Sequence, residues 1–180
     1  MKTLLPKDEQ KTTVFLDRAL NEWVPKRELA RLVPQIVRTA RAEEPGNAGA
    51  HHDVTLAVLV YCYAIGVYRS KEIEQRLSRS RLRSGLPSDA ILDGKCFAAF
   101  RKSQKPLVKK CLISALQQAF RVRWKQGGPD AEQGQRFLST GADLLSPLDC
   151  EAERRMEIAE AWDLFDQDGL VGRSERGTAE

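Results

Sequence analysis

The longest apolar run of the chain, the 15 residues from Val54 to Tyr68, limits most strongly what the sequence can fold into. A membrane-spanning helix needs about 20 apolar residues, so this run is too short to cross a bilayer. Because residues 55–67 are apolar almost all round a helix, the segment has no polar face and belongs at the centre of a bundle. Gly66 marks its end. We therefore expect a buried central helix and no membrane partner.

Other segments predict helices that surround the central one. The first runs from Lys26 to Arg41 with apolar residues at helical spacing, and Pro34 is expected to kink it or to divide it into two short helices. Further helices are predicted at 70–80, 94–102 and 106–124, with a short one at 136–145 and an acidic one at 150–165. Ser70 and Asp93 are predicted N-caps. No strand pattern is evident. The expected fold class is all-α: a compact multi-helix bundle with a helix-turn-helix-like unit and an acidic helical C-terminal appendage.

The apolar face of each predicted helix should supply the core. In the first four surrounding helices these residues are Leu29, Leu32, Val33, Ile36, Val37, Ile73, Leu77, Cys96, Phe97, Phe100, Val108, Cys111, Leu112, Ala115, Leu116, Ala119 and Phe120. The acidic helix has weaker apolar markers at Ala152, Met156, Ala159 and Leu164. The four cysteines show no spacing typical of metal or redox sites, so we interpret them as reduced thiols of a cytoplasmic protein.

Charge is distributed unevenly along the chain. Residues 51–125 contain 15 Lys and Arg against 5 Asp and Glu, whereas residues 126–180 contain 5 against 13. Such asymmetry indicates a polyanion-binding module with an acidic appendage. The alternative is a bundle whose charged faces are merely solvated. For the acidic helix we favour a solvated face over a mimic of DNA that folds back onto the basic segment.

The segment from Ser70 to Lys125 carries the strongest functional signal. Its second short helix places Lys95, Ala99 and Lys102 on the face opposite its apolar residues. Small and basic residues on an exposed face let a helix approach a DNA groove, and phosphates favour added positive charge through counterion release. We therefore predict a reader helix at 94–102 with Lys95, Arg101 and Lys102 facing DNA. The residues expected to hold phosphates are Arg69, Lys71, Arg79, Arg81, Arg83, Lys105, Lys109 and Lys110.

Three segments resemble a known family. VFLDRALNEWVPKRELARLV, residues 14–33, is similar to the opening of bacterial insertion-sequence transposases, in which an FLD…L…WVP…LAR pattern recurs. HHDVTLAVLVYCYAIGVYRSKEIEQRL, residues 51–77, resembles the family's apolar YxYAxG helix followed by its S-[RK]-x-I-E helix. LDGKCFAAFRKSQ, residues 92–104, resembles its PD…FR segment. The matches occur in order over most of residues 14–125. They imply the InsH-like N-terminal helical domain of DDE transposases, and with it binding to double-stranded DNA at transposon ends.

The chain also departs from the family's pattern. Leu92-Asp93 stands where the family usually has Pro-Asp, and Arg27-Glu28 stands where it commonly has Asp-His. The residues after position 125 lack the strand pattern of the RNase H-like catalytic domain that follows in the family. We expect three parts: a flexible N-terminus at 1–14, a transposase-type helical DNA-binding domain at 15–125, and a linker with an acidic helical tail at 126–180.

The function that the resemblance implies is that of a transposase DNA-binding module without its own catalytic centre. The alternative is a protein-interaction or regulatory module that binds a full-length transposase, its catalytic subunit or itself. An active nuclease or recombinase would need carboxylates gathered around a metal ion, and the acidic residues here are scattered or lie in the tail. The acidic run at Asp166 places Leu170 where a calcium loop needs an oxygen ligand. We predict no metal, cofactor or catalytic residue.

Overall fold

The computed structural model describes residues 24–43, 50–79, 92–125 and 145–174, and this part of the chain contains six α-helices and no strand. In chain order the helices are α1 (Lys26–Glu43), α2 (Ala50–Ala64), α3 (Ser70–Arg79), α4 (Gly94–Ser103), α5 (Lys105–Lys125) and α6 (Leu145–Ser174). The expected all-α fold is confirmed. The predicted flexible N-terminus at 1–14 lies outside the described residues, as does the predicted helix at 136–145 apart from its last position, which belongs to α6.

The apolar run forms the central helix α2, which packs against α1, α4 and α5. Gly66 ends it with a left-handed backbone, φ 79°. Its N–H donates to the Tyr63 carbonyl at 3.2 Å, and the Val67 N–H donates to the Cys62 carbonyl at 2.8 Å. These two bonds are those of a Schellman cap, which satisfies the last carbonyls of the helix. Among the described helices, none has the length and apolar character that crossing a bilayer requires.

Helix α1 lies against α2 and α5 and buries Leu29, Val33 and Val37 between them. It continues through Pro34, so the predicted division into two short helices was wrong. Proline removes one helical N–H donor. The carbonyl that this leaves without a helical donor is that of Ala30, and because Ala30 is exposed, water can hydrogen-bond it and the helix is retained.

The core consists largely of the predicted apolar faces, with four corrections. Leu32 and Phe120 are only half-buried, while Cys96 is exposed and Leu164 is 64% exposed. Cys96 lies beside Phe97 at the edge of the buried face of α4, because neighbouring residues of a helix point about 100° apart. Among the cysteines that are buried, Cys62 has its pKa raised to about 12 by desolvation, so this thiol stays protonated at neutral pH.

Helix α6 begins at Leu145, earlier than the predicted position 150, and packs mainly against α5 with a smaller contact to α3. One face of α6 inserts Leu148, Ala152, Met156 and Ala159 into the core, where each is at most 2% exposed. The favoured prediction of a solvated acidic helix was therefore wrong for this face. The small side chains of Ala152 and Ala159 allow α6 to lie close to α5. The sequence did not predict this packing, because the apolar residues of the acidic helix were few and weakly hydrophobic.

Arg155 anchors α6 to the end of α2. It is 0% exposed, and its Nη1 donates to the carbonyls of Tyr63 at 2.8 Å and Ala64 at 3.2 Å. Its Nε donates to Glu151 Oε1 at 2.6 Å. The last carbonyls of a helix lack partners within the helix and carry partial negative charge. A guanidinium donates hydrogen bonds to them and also neutralises this charge. This contact fixes the position of α6 over the basic half of the bundle.

Candidate nucleic-acid interface

Helices α3 and α4 pack against each other and hold the predicted reader helix in place. Asp93 is the N-cap of α4, as predicted: its Oδ1 accepts a hydrogen bond from the Cys96 N–H at 2.7 Å, which lowers the pKa of the Asp93 carboxyl. Glu74 of α3 accepts a second bond, from the Gly94 N–H at 3.0 Å. Two carboxylates thus satisfy the first amides of α4. Residues 80–91 lie outside the described residues, so the helix-turn-helix-like unit stays a prediction.

The face of α4 that was predicted to meet DNA is exposed to solvent. Lys95, Ala99 and Lys102 are all exposed and lie within about 60° of one another around the helix. Neither lysine forms an ion pair with another described residue, and the same holds for exposed Arg79 at the end of α3. Arg81 and Arg83 lie outside the described residues. The predicted reader helix therefore presents two lysines and a small residue outward.

Arg101 does not face solvent, so the prediction that it faces DNA was wrong. The residue is 1% exposed. Its Nη2 donates to Asp163 Oδ2 at 2.6 Å and to Ser70 Oγ at 2.8 Å, and its Nη1 donates to the Tyr63 hydroxyl. Position 101 follows Phe97 by four, which places it on the core face of α4, and that spacing was visible in the sequence. Within the described structure, the buried Nε of Arg101 has no hydrogen-bond partner.

Ser70 belongs to this buried network instead of capping α3. Its hydroxyl donates to Asp163 Oδ1 at 2.9 Å and accepts from Arg101. The first helical bond of α3 runs from the Ile73 N–H to the Arg69 carbonyl at 3.0 Å, so Arg69 occupies the N-cap position. The predicted capping role of Ser70 was therefore wrong, because its hydroxyl has an acidic partner on α6 that the local sequence does not contain.

Two lysines of α5 that were predicted to hold phosphates contact carboxylates of α6. Lys109 Nζ lies 3.0 Å from Asp149 Oδ2 and 2.8 Å from Glu153 Oε2. Lys105 Nζ lies 3.3 Å from Glu153 Oε1 and 3.0 Å from Glu160 Oε1. The shared carboxylate of Glu153 has a lowered pKa, chiefly because Lys109 donates a hydrogen bond to it. Both lysines are thus engaged within the molecule.

Asp166 makes the corresponding contacts near the start of α3. Arg69 Nη2 lies 2.5 Å and Lys71 Nζ lies 3.2 Å from Asp166 Oδ1. The hydrogen bonds from Arg69 are the main cause of the lowered pKa of Asp166. The Arg69 guanidinium also lies over the Trp162 ring, 5.1 Å from its centroid, a cation–π arrangement. Arg69 and Lys71 are therefore both held by the outer end of α6.

Five predicted DNA-binding cations thus converge on one surface, which α6 covers. We call this surface the basic track; it consists of Arg69, Lys71, Arg101, Lys105 and Lys109. Its partners form the acidic face of α6, which consists of Asp149, Glu153, Glu160, Asp163 and Asp166. At 1.5 Å rise per residue these acids extend over about 26 Å. Lys110, the remaining predicted phosphate ligand on α5, pairs with Glu43 of α1 at 3.2 Å.

Within the described part of the chain, no group of three or more His, Cys, Asp or Glu residues is arranged to hold a metal ion. Comparisons of the chain with protein-family models, curated proteins and solved structures found no match. The arrangement of charges is therefore the main structural basis for inferring a function.

Proposed function

We propose that the chain is a DNA-binding module of transposase type that contacts duplex DNA through α4. The observation that supports this proposal best is the exposed stripe of Lys95, Ala99 and Lys102. Lysines that form no ion pair with another described residue are available to neutralise phosphates, which releases counterions from DNA. Because the Ala99 side chain between them is small, it does not obstruct entry of the helix into a groove. Arg79 adds a third exposed cation on the neighbouring helix.

The resemblance of three segments to insertion-sequence transposases supports duplex DNA, in particular transposon ends, as the ligand. It also agrees with a module that binds DNA and leaves strand transfer to a separate catalytic domain. We propose no catalytic role for the chain itself.

Charge reversal on α4 tests the proposal. We expect Lys95→Glu together with Lys102→Glu to weaken binding to a mixed-sequence 24-base-pair duplex by at least about tenfold, because two phosphate contacts become repulsive. Fluorescence anisotropy at low salt measures the affinity, and circular dichroism checks that helicity is retained. The matched control is Arg38→Glu with Arg121→Glu, which changes the net charge equally at exposed positions on α1 and α5. Equal weakening in both double variants, or unchanged binding in the α4 variant, would reject α4 as the interface.

A second candidate function is self-association, which the exposed apolar side chains of α6 favour. Leu164 is 64% and Phe165 is 63% exposed, and the Phe165 ring meets Trp162 edge to face with the centroids 5.7 Å apart. A second copy of this chain is the simplest occupant, because an isologous contact requires only one surface. Light scattering should show a dimer that Leu164→Ser with Phe165→Ser converts to a monomer. A wild-type protein that stays monomeric as its concentration rises rules this candidate out.

A further inference from the structure

We propose that the basic track is a second DNA-binding surface, which residues 160–166 of α6 cover in the free protein and which duplex DNA uncovers. This inference rests on the proposed function and adds to it a surface separate from the exposed face of α4. It also assigns a role to the acidic face of α6, which competes with DNA phosphates for the same cations.

Two parts of α6 are held to the bundle in different ways. From Leu148 to Ala159 the helix is anchored by buried apolar side chains and by the buried guanidinium of Arg155. We call this part the anchored part. From Glu160 to Asp166 no side chain is buried, and Phe165 is 63% exposed. We call this part the outer turns. Release of the outer turns alone would therefore leave the core of the bundle intact.

The outer turns are attached to the bundle mainly by charge. Glu160 pairs with Lys105 at 3.0 Å, and Asp166 pairs with Arg69 at 2.5 Å. The side chains of Lys105 and Arg69 are each 37% exposed, so water and salt weaken these pairs. Exposed ion pairs without buried apolar contacts open locally at low free energy, so the attachments at Glu160 and Asp166 are suited to reversible release.

The third attachment, at Asp163, is the strongest, and a phosphate group can replace it. Asp163 binds Arg101 and Ser70, yet the buried Nε of Arg101 has no partner among the described residues. Phosphate oxygens accept bidentate hydrogen bonds from arginine in the same way as a carboxylate does. A DNA phosphate could therefore take the place of the Asp163 carboxylate and also satisfy the remaining donor of Arg101.

Release of the outer turns would free three cations on or beside α3 and α4 and would remove one of the two partners of a fourth, on α5. Arg69 and Lys71 lie at the start of α3, Arg101 on α4 and Lys105 at the start of α5. Lys109 would stay paired with Asp149 and Glu153 of the anchored part, and Lys105 would lose Glu160 but keep its contact with Glu153 at 3.3 Å. The newly exposed surface would hold two arginines and Lys71, with Lys105 released from one of its two carboxylates, a chemistry that suits the phosphate backbone of a duplex.

Neutralising the outer turns tests the proposal in binding experiments. We expect Glu160→Gln with Asp166→Asn to raise affinity for the 24-base-pair duplex by about tenfold and to steepen its salt dependence, since fewer intramolecular pairs oppose the phosphates. Asp163 is kept, so that buried Arg101 retains its partner and the fold. The matched control is Glu157→Gln with Glu28→Gln, which removes the same charge at exposed positions without an ion pair to a described residue. The control should change affinity less than about twofold.

Hydrogen exchange of the unmodified protein tests release directly. With duplex DNA added, we expect amides of residues 160–166 to exchange faster, while those of residues 148–156 stay protected. Faster exchange at 160–166 together with tighter binding of the Glu160→Gln, Asp166→Asn variant supports the proposal. If wild type and this variant bind duplex DNA equally and exchange at 160–166 does not rise, the inference is wrong, while binding through α4 stands. If neither protein binds DNA, both the inference and the proposed function are wrong.

Discussion

Arg101 of α4 and Asp163 of α6, which are 62 residues apart in the chain, form an ion pair with 2.6 Å between Nη2 and Oδ2. Arg101 is 1% exposed and the Asp163 side chain is 15% exposed, so the pair is largely shielded from water. It joins a cation of the basic part of the sequence to a carboxylate of the acidic part. Helix α6 is therefore packed onto the helices that were predicted to bind DNA.

Removing Asp163 should destabilise the protein strongly. We expect Asp163→Ala to lower the free energy of unfolding by about 3–5 kcal/mol, because it leaves the buried Arg101 charge without its carboxylate. Urea denaturation measures the change. The control is Glu72→Ala, which breaks the exposed pair with Arg76 and should change stability little. Equal effects of the two substitutions would show that the Arg101–Asp163 pair is not a structural link.

The buried position of Arg155 leads to a second prediction. We expect Arg155→Met to lower the free energy of unfolding by about 3 kcal/mol, since Glu151 loses a buried partner and two carbonyls at the end of α2 lose their donor. Thermal and urea unfolding measure the loss. Arg154→Met on the same helix is the control, since the Arg154 side chain is 41% exposed. A wild-type midpoint for Arg155→Met would contradict the anchoring role of this residue.

The outcome for Arg101 and Arg155 shows how far the sequence could predict this structure. Helices and core faces follow from local apolar spacing, and the burial of Arg101, which was predicted to face DNA, could have been inferred from its position four residues after Phe97. The partner Asp163 could not be derived in this way, because nothing local specifies which distant helix packs on α4. The docking of α6 was missed for the same reason: Ala152 and Ala159 are weak hydrophobic signals, although they allow close helix contact.

The candidate site was predicted unevenly. The exposure of Lys95 and Lys102 followed from helical spacing, whereas the pairing of Lys105 and Lys109 with α6 did not. A count of charges along the chain gives the net charge of each segment. It does not predict which lysine pairs with which carboxylate, because these pairs form only where the fold brings the two helices into contact. The charge asymmetry thus contained the information that an acidic face was present, but it did not say where that face would lie.

Lowering the pH should weaken the attachment of α6. The pKa values of Glu153 and Asp166 are lowered from ordinary values of 4.5 and 3.8 by hydrogen bonds from Lys109 and Arg69. A lowered pKa in the folded state means that these pairs contribute stability above the ordinary values and lose it as the pH falls through the folded-state values. We expect the free energy of unfolding to be steady near pH 6 and to fall below about pH 4.5.

Urea denaturation at several pH values measures this dependence. The variant with Glu153→Gln and Asp166→Asn should show a shallower decrease below pH 4.5 than the wild-type protein does, since two of the groups that bind protons on unfolding are absent. Identical pH profiles of the two proteins would contradict a contribution of these pairs to stability.

The left-handed backbone at Gly66 gives a further prediction. With φ 79° at this position, Gly66→Ala should lower the free energy of unfolding by about 1 kcal/mol, because a Cβ is disfavoured in this conformation. Gly66→Asn should cost less, since asparagine tolerates the left-handed region better. Thermal unfolding measures the order of the three proteins. An alanine variant as stable as the wild type would contradict the described end of α2.

The most direct test of DNA binding is the salt dependence of wild-type affinity for the 24-base-pair duplex. Three exposed cations, Arg79, Lys95 and Lys102, predict that the logarithm of the association constant falls linearly with the logarithm of salt concentration, with a slope of about −3 or steeper. Fluorescence anisotropy over a range of salt concentrations measures this slope. A slope near zero, or no binding at low salt, would contradict the account.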